Sequence, residues 1–487
     1  MENRRSCIDA LAMKRHPAKH WRAGALSVTF CAVAASAMAT VSYTYENDGK
    51  TLVATVSDAD TGLSTSAADQ AWFTDGLTNF VKRGTPSLNV WENVKNDFTG
   101  DIRIEQGHLL FYGNALGVNQ AQGEIMIHFG NLVINGNNRT VSIAKDVAFG
   151  FGYGDDWNGR TIQVWNGYKG AISGKVTTGN RNAKIVVYKG GTLALTGGIE
   201  DPVSGGSGYL YLGAYNGSSM MFSEKPVVMA HGLYFEIQSY HVRDHDAYRD
   251  SSGYFGHFTF AVPGNSFPTL GYDNDSSSGN YRFRYHDIKT TVDWAFDRAN
   301  MTVYLGEDAK WDLCGTSQRV GQFDVKLARG GASVITNSSE TAATLHLGMI
   351  FTHKSDDPPD VRFGGNLSVV FENNIDTTPI NHAMTACGSL VHAGQGTLAF
   401  TENGSWANAT NVTVSGTGKI TVANAGALGQ RANVNLASAS SLEIASDVTV
   451  QVRTLTVGGV QQRRGDYTFG GGTLSVTHPV GFQMGIR

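Results

Sequence analysis

From Asp101 onward this chain is written in short alternations of apolar and polar residues, each closed by glycine or asparagine. The runs include DIRI, EIMI, NLVI, TIQV, KIVV, TLAL, YLYL, TVYL, LSVV, KITV and LTV. Period-two alternation turns one set of side chains inward and the other toward solvent. Runs of roughly four to seven residues cannot stand alone as sheets. Stacking resolves this: if each run pairs with its equivalent one coil away, the inward Ile, Val and Leu form continuous ladders and every backbone group finds a partner above or below. The predicted fold is therefore all-β, a parallel β-helix (β-solenoid), with the right-handed winding general to parallel crossovers. Strands recur at roughly 20 to 30 residues, whereas propeller blades repeat at about 40 to 45.

Composition agrees with tight corners between short strands: 59 Gly stand against 10 Pro, and only 16% of residues are charged. The phrase Gly-Gly-Thr-Leu at Gly190 returns at Gly471, and again as Gln395-Gly396-Thr397-Leu398. Glycine is needed where a corner takes positive φ or passes close to another backbone. Val81, Gly84, Leu88 and Ile102 also recur at equal offsets as Val391, Gly394, Leu398 and Val412. Two coils of the same kind near the two ends are expected.

The first 39 residues read as an export signal. Six Lys or Arg precede the apolar run AGALSVTFCAVAASAMA, which ends in Ala37-Met38-Ala39, and cleavage is expected before Thr40. Residues 40–84 follow as a hairpin turning at Asn47-Asp48-Gly49 and a capping helix. For the helix, Ser66 and Asp69 give a start signal, Trp72, Phe73, Leu77, Phe80 and Val81 one face, and Lys82 to Gly84 an end. This helix is expected to cover the open end of a β-helix spanning 85–487. A long aromatic and histidine-rich insertion is placed at about 231–298, and repeat-like terminal coils at 389–487.

Without the signal, 32 basic residues face 40 acidic ones. That balance argues against nucleic acid and anionic membrane surfaces as partners, and no segment is left to insert in a membrane after cleavage. Cys314 and Cys387 are too few for a disulfide framework or thiolate metal site.

The stretch Gly394 to Ile444 resembles the passenger-associated β-strand repeat of bacterial autotransporters. The resemblance is carried by Gly394 to Leu398, Val412 to Ile420, Ala427-Leu428-Gly429 and Leu442-Glu443-Ile444. The ending LTVGGVQQRRGDYTFGGGTLSV resembles the terminal hairpin of such proteins, and Lys310 to Phe323 resembles a strand-turn-strand phrase recurrent in them. The resemblance implies a secreted or outer-surface protein with an adhesin-like role. The sequence stops at Arg487, with the expectation that no translocator barrel follows.

Two regions invite chemistry. His231 to Phe260 holds four His and eight aromatics, where His241, Asp244, His245 and Asp246 stand close enough to meet a cation and Tyr240, Tyr248, Tyr254 and Phe255 offer flat faces to sugar rings. HVRDHD matches no zinc spacing, so a solvated loop is preferred and no metal is assigned. Asp155-Asp156, with His231 downstream, invites comparison with polysaccharide hydrolases built on β-helices. Yet the gap to the histidine spans several coils, and a turn explains GDDWNG. Glycine loops for phosphates, serine elbows and dinucleotide fingerprints are missing, so no cofactor is expected. The leading expectation is a display or adhesive protein whose partners are polysaccharides or cell-surface glycans. The alternative is a carbohydrate-active enzyme using Asp155, Asp156, His231, Asp244 or His245, or a non-catalytic glycan binder.

Overall fold

The computed structural model describes residues 41–478, apart from 137–138, 151–159, 180–182, 202–208, 215–216, 230–233, 239–255, 267–268, 271–285, 306–309, 326–332, 353–359, 373–388 and 403–410. Three large sheets of nine, sixteen and fourteen strands wind around one interior. One full coil runs through Glu124–Ile127, Gly130–Ile134 and Thr140–Ile143, on the first, second and third faces, before Asp146–Phe149 re-enters the first. Each strand pairs in parallel with its equivalent: Ile125 with Val147, Leu132 with Ile162, and Val141 with Gly170. The chain is a β-solenoid.

The number of faces changes along the axis. Coils before Thr140 use the first two faces, whereas coils from Leu367–Phe371 to Ser441–Ile444 use the second and third, and Thr449–Val452, Gly465–Phe469 and Gly472–Val476 then form a separate three-stranded sheet. An interior line of side chains nevertheless runs without interruption. It begins with Leu52, Phe80, Ile102, Ile125, Val147, Val176, Ile199 and Val227 on the nine-stranded face. Asn265 and Phe296, joined by a parallel bridge, carry it onward. It continues through Gln318, Leu345, Val369, Leu398, Ile420 and Leu442 on the sixteen-stranded face. Long strands such as Ser317–Val325 and Ala343–Thr352 make this handover, because their first halves extend the line of the old first face.

Two polar side chains sit in that line at the handover, and both are buried. Asn265 Oδ1 accepts from Val227 N at 2.9 Å, while its Nδ2 donates to Val262 O and Ala295 O at 2.8 and 3.0 Å. Gln318 Oε1 accepts from Phe296 N at 2.8 Å, and its Nε2 donates to Val292 O and Thr316 Oγ1 at 2.8 and 2.7 Å. The amides supply pairing where the regular ladder is broken. Buried polar groups survive only when partnered in this way.

The expected capping helix is a correction. Ser66 does start a helix, accepting from Asp69 N, but the helix is the single turn Ala67–Gln70. Gly76 takes φ +85°, and Asn79–Arg83 is a strand between Thr51–Val56 and Asp101–Ile104. The aromatic spacing that mimics a helical face is a turn packed on the core, followed by a strand. The end is closed by the antiparallel strand Val41–Glu46, which turns at Asn47 and Asp48, both with positive φ. At the other end Gly465–Phe469 lies antiparallel on Gly472–Val476.

The recurring phrase has a shared cause. A Cβ at Gly84 would stand 1.9 Å from Val56 O, and one at Gly394 would stand 1.9 Å from Gly365 O. Both glycines let a corner press on the coil beneath. The strands on either side differ, since Val81 lies on the nine-stranded face and Val391 on the fourteen-stranded one.

Candidate functional site

Every residue singled out for chemistry from the sequence lies outside the described residues: Asp155, Asp156, His231, Asp244, His245, Tyr240, Tyr248, Tyr254 and Phe255. Of the segment 231–298, Tyr234–Gln238 and Thr269–Leu270 add strands to the second face, and Gly256–Phe260 and His286–Thr290 add strands to the third. The described residues instead bring together two rows that no local motif announces.

The first row follows the strands of the sixteen-stranded face. Trp91, Tyr112, Asn135, Trp165 and Tyr188 each come directly after a strand-ending apolar residue: Val90, Phe111, Ile134, Val164 and Val187. Their amides continue the ladder by one step, with Trp91 N on Leu63 O, Tyr112 N on Val90 O, Asn135 N on Phe111 O, Trp165 N on Ile134 O and Tyr188 N on Val164 O. Strand alternation sends the preceding residue inward, so these five start toward the outer side of the face, where Asn135 is nevertheless covered. Trp91 is 45% exposed. Tyr112, Trp165 and Tyr188 are half-buried.

The row is held in place. Trp91 and Tyr112 rings stack at 4.4 Å with 26° between planes. Trp165 Nε1 donates to Gln163 Oε1 at 3.0 Å. Asn135, buried in the row between Tyr112 and Trp165, has an Oδ1 with no hydrogen-bond partner among the described residues. Burial, and then the nearby Tyr168, push the Tyr112 phenol above its usual range. Beside Trp91 the Glu92 carboxylate takes Arg139 at 2.7 and 2.9 Å. The charges beside Trp91 are therefore paired with each other.

The second row opens the strands of the nine-stranded face. Asp101, Glu124 and Asp146 lead Asp101–Ile104, Glu124–Ile127 and Asp146–Phe149, and Asp146 pairs in register with Glu124. Asp101 Oδ1 accepts from Glu124 N at 2.9 Å, and Asp146 Oδ1 accepts from Lys175 N at 2.8 Å. Burial, reinforced by repulsion from both aspartates, raises the Glu124 carboxyl above its ordinary range. The row thus combines two carboxylates that tie coils together with one acid that holds its proton more readily.

Two buried lysines explain part of the corner chemistry. Lys82 Nζ donates to the carbonyls of Gly84, Pro86 and Gln106, and Lys145 Nζ donates to those of Gly100 and Gln122. Burial pushes Lys82 down to about 8. These ammonium groups satisfy turn carbonyls inside the stack.

The sequence signal for the aromatic row exists but is distributed: LNVW, LLFY, LVIN, IQVW and IVVY are five strand endings with an aromatic residue or asparagine in the last place. Comparison with protein families, with characterised sequences and with solved structures found no match for this chain.

Proposed function

We propose that this chain is an exported, right-handed β-helical rod with a structural or adhesive display role at the outer cell surface or in the surrounding matrix. The observation that carries the reading is the unbroken interior line from Leu52 to Leu442, finished by antiparallel pairs at both ends. Such a stack is stiff along its axis and offers long lateral faces for recognition. The reading is supported by the charge of the chain after residue 39, by the signal-like first 39 residues, and by the autotransporter-like phrases at Gly394 to Ile444.

The test has two arms. Expressed with residues 1–39, the protein is expected outside the cytoplasm and trimmed before Thr40; retention of an untrimmed chain in the cytoplasm would overturn the export reading. Sixteen strands on one face, at about 4.8 Å per step, give a rod roughly 70 Å long, which small-angle scattering of the purified protein measures. A compact, near-spherical particle would overturn the display reading. The row Asp101, Glu124 and Asp146 supports a second reading, hydrolysis or lysis of a polysaccharide, because adjacent coils space carboxylates about 5 Å apart. Release of reducing or unsaturated ends that disappears in Glu124→Gln would favour it.

A further inference from the structure

We infer that the corner carrying Trp91, Tyr112, Asn135, Trp165 and Tyr188 is a binding strip for a linear, neutral polysaccharide lying along the solenoid axis. The inference deepens the display reading, on which it rests for access to extracellular glycans.

Periodicity is the first argument. Four aromatic side chains occupy five successive rungs, locked in register by backbone hydrogen bonds. At about 4.8 Å per rung the strip is roughly 19 Å long, a length on the order of four sugar rings. A ligand that repeats along its own axis meets equivalent contacts at each step.

Chemistry is the second. The apolar C–H face of a pyranose stacks on aromatic rings while its hydroxyls need polar partners at the rim. Trp91 gives the most open ring of the row. Asn135, nine-tenths or more buried, places in the middle of the row an oxygen without a partner among the described residues. A buried acceptor left without a donor costs free energy unless a ligand or water supplies one. Glu92 and Arg139 add polar groups beside Trp91 with their charges paired to each other.

Exclusion of rivals is the third. Stacked aromatic residues also suit single-stranded nucleic acid, but that requires a cationic groove for phosphates. The formal net charge of this chain is −4, and the cation beside Trp91 is already paired. The same pairing disfavours polyuronates.

The test is affinity electrophoresis of the purified protein in gels containing hydroxyethyl cellulose, xylan, galactomannan, polygalacturonate or no polysaccharide. Retardation by at least one of the three neutral polymers is expected. Trp91→Ala and Trp165→Ala should each weaken it about tenfold and the double variant further, with the thermal midpoint kept. Trp91→Phe should retain most binding, and Trp294→Ala, at an exposed tryptophan elsewhere on the rod, should change nothing. Tryptophan fluorescence of the unmodified protein, titrated with the retarding polymer, reads the same contact without any substitution. No retardation by a neutral polymer would overturn the inference, as would retardation by polygalacturonate alone, equal retardation of the double variant, or an unperturbed spectrum. Export and rod length are measured separately, so the glycan inference can fail while the display reading stands.

Discussion

Replacing Asn265 by leucine tests whether the handover between faces depends on one amide. The substitution keeps a similar volume but removes an acceptor for Val227 N and two donors, to Val262 O and Ala295 O. A buried N–H left without a partner costs about 1–3 kcal/mol, and each carbonyl somewhat less because it keeps other options. The apolar leucine offsets part of this. The expected net loss is about 2–4 kcal/mol, confined to the coils that Asn265 bridges. A stacked solenoid opens locally, so a single global midpoint is a poor readout. Hydrogen exchange of peptides spanning Val227, Val262 and Ala295 is the better one, and it should quicken at least 30-fold, since each 1.4 kcal/mol is about tenfold. Asn435→Leu serves as the control: that half-buried side chain reaches Thr413 Oγ1 at 3.4 Å on the third face, and its loss should stay within about 0.5 kcal/mol. Exchange near Val227 within threefold of the unsubstituted protein would refute the reasoning, as would an equal acceleration along the whole chain.

Two further outcomes follow from the corners and from the third face. Gly394→Ala should destabilise the terminal coils by about 2–4 kcal/mol, because the new Cβ meets Gly365 O at 1.9 Å. Gly459→Ala, with φ +81° but no atom within 4 Å, should cost only about 1–2 kcal/mol; urea unfolding of the two variants checks the order. His392 lies buried between Phe363 and Val414, with Nε2 donating to Leu367 O at 3.0 Å and Nδ1 accepting from Gly394 N at 3.2 Å. Burial holds this imidazole neutral, below its ordinary range. The unfolded chain gains a proton as pH falls through about 6.5 while the folded chain does not, so stability is present above that pH and declines below it. Burial lowers His108 and His128 likewise. Urea midpoints at pH 7.5 and 5.5 should therefore differ, and His392→Gln should narrow the gap without closing it.

What could be read from the sequence follows from where each piece of information resides. A run such as KITV carries its own alternation, and Lys419–Val422 is half-buried and buried by turns with no outside help. Corner glycines were likewise legible, because Gly84 and Gly394 answer to a constraint expressed at a single position. The helical expectation fails for the same local reason. Trp72, Phe73, Leu77, Phe80 and Val81 satisfy a helical spacing, and only the pairing of Asn79–Arg83 with two other strands reveals that the last two belong to a sheet. Lys82 breaks the simple rule that charge stays outside: alternation puts it on the inward face with Phe80, where three turn carbonyls need a donor, and the ammonium group goes to them. The candidate site was the least legible part. A solenoid assembles a surface from residues one coil apart, and coil length varies with every corner, so Trp91 and Tyr112 become neighbours only once Val90 is known to face Phe111. Compact clusters are legible because their members are close in sequence. In a parallel stack, closeness in sequence mostly marks a turn, whereas a row repeated at one strand position marks a face.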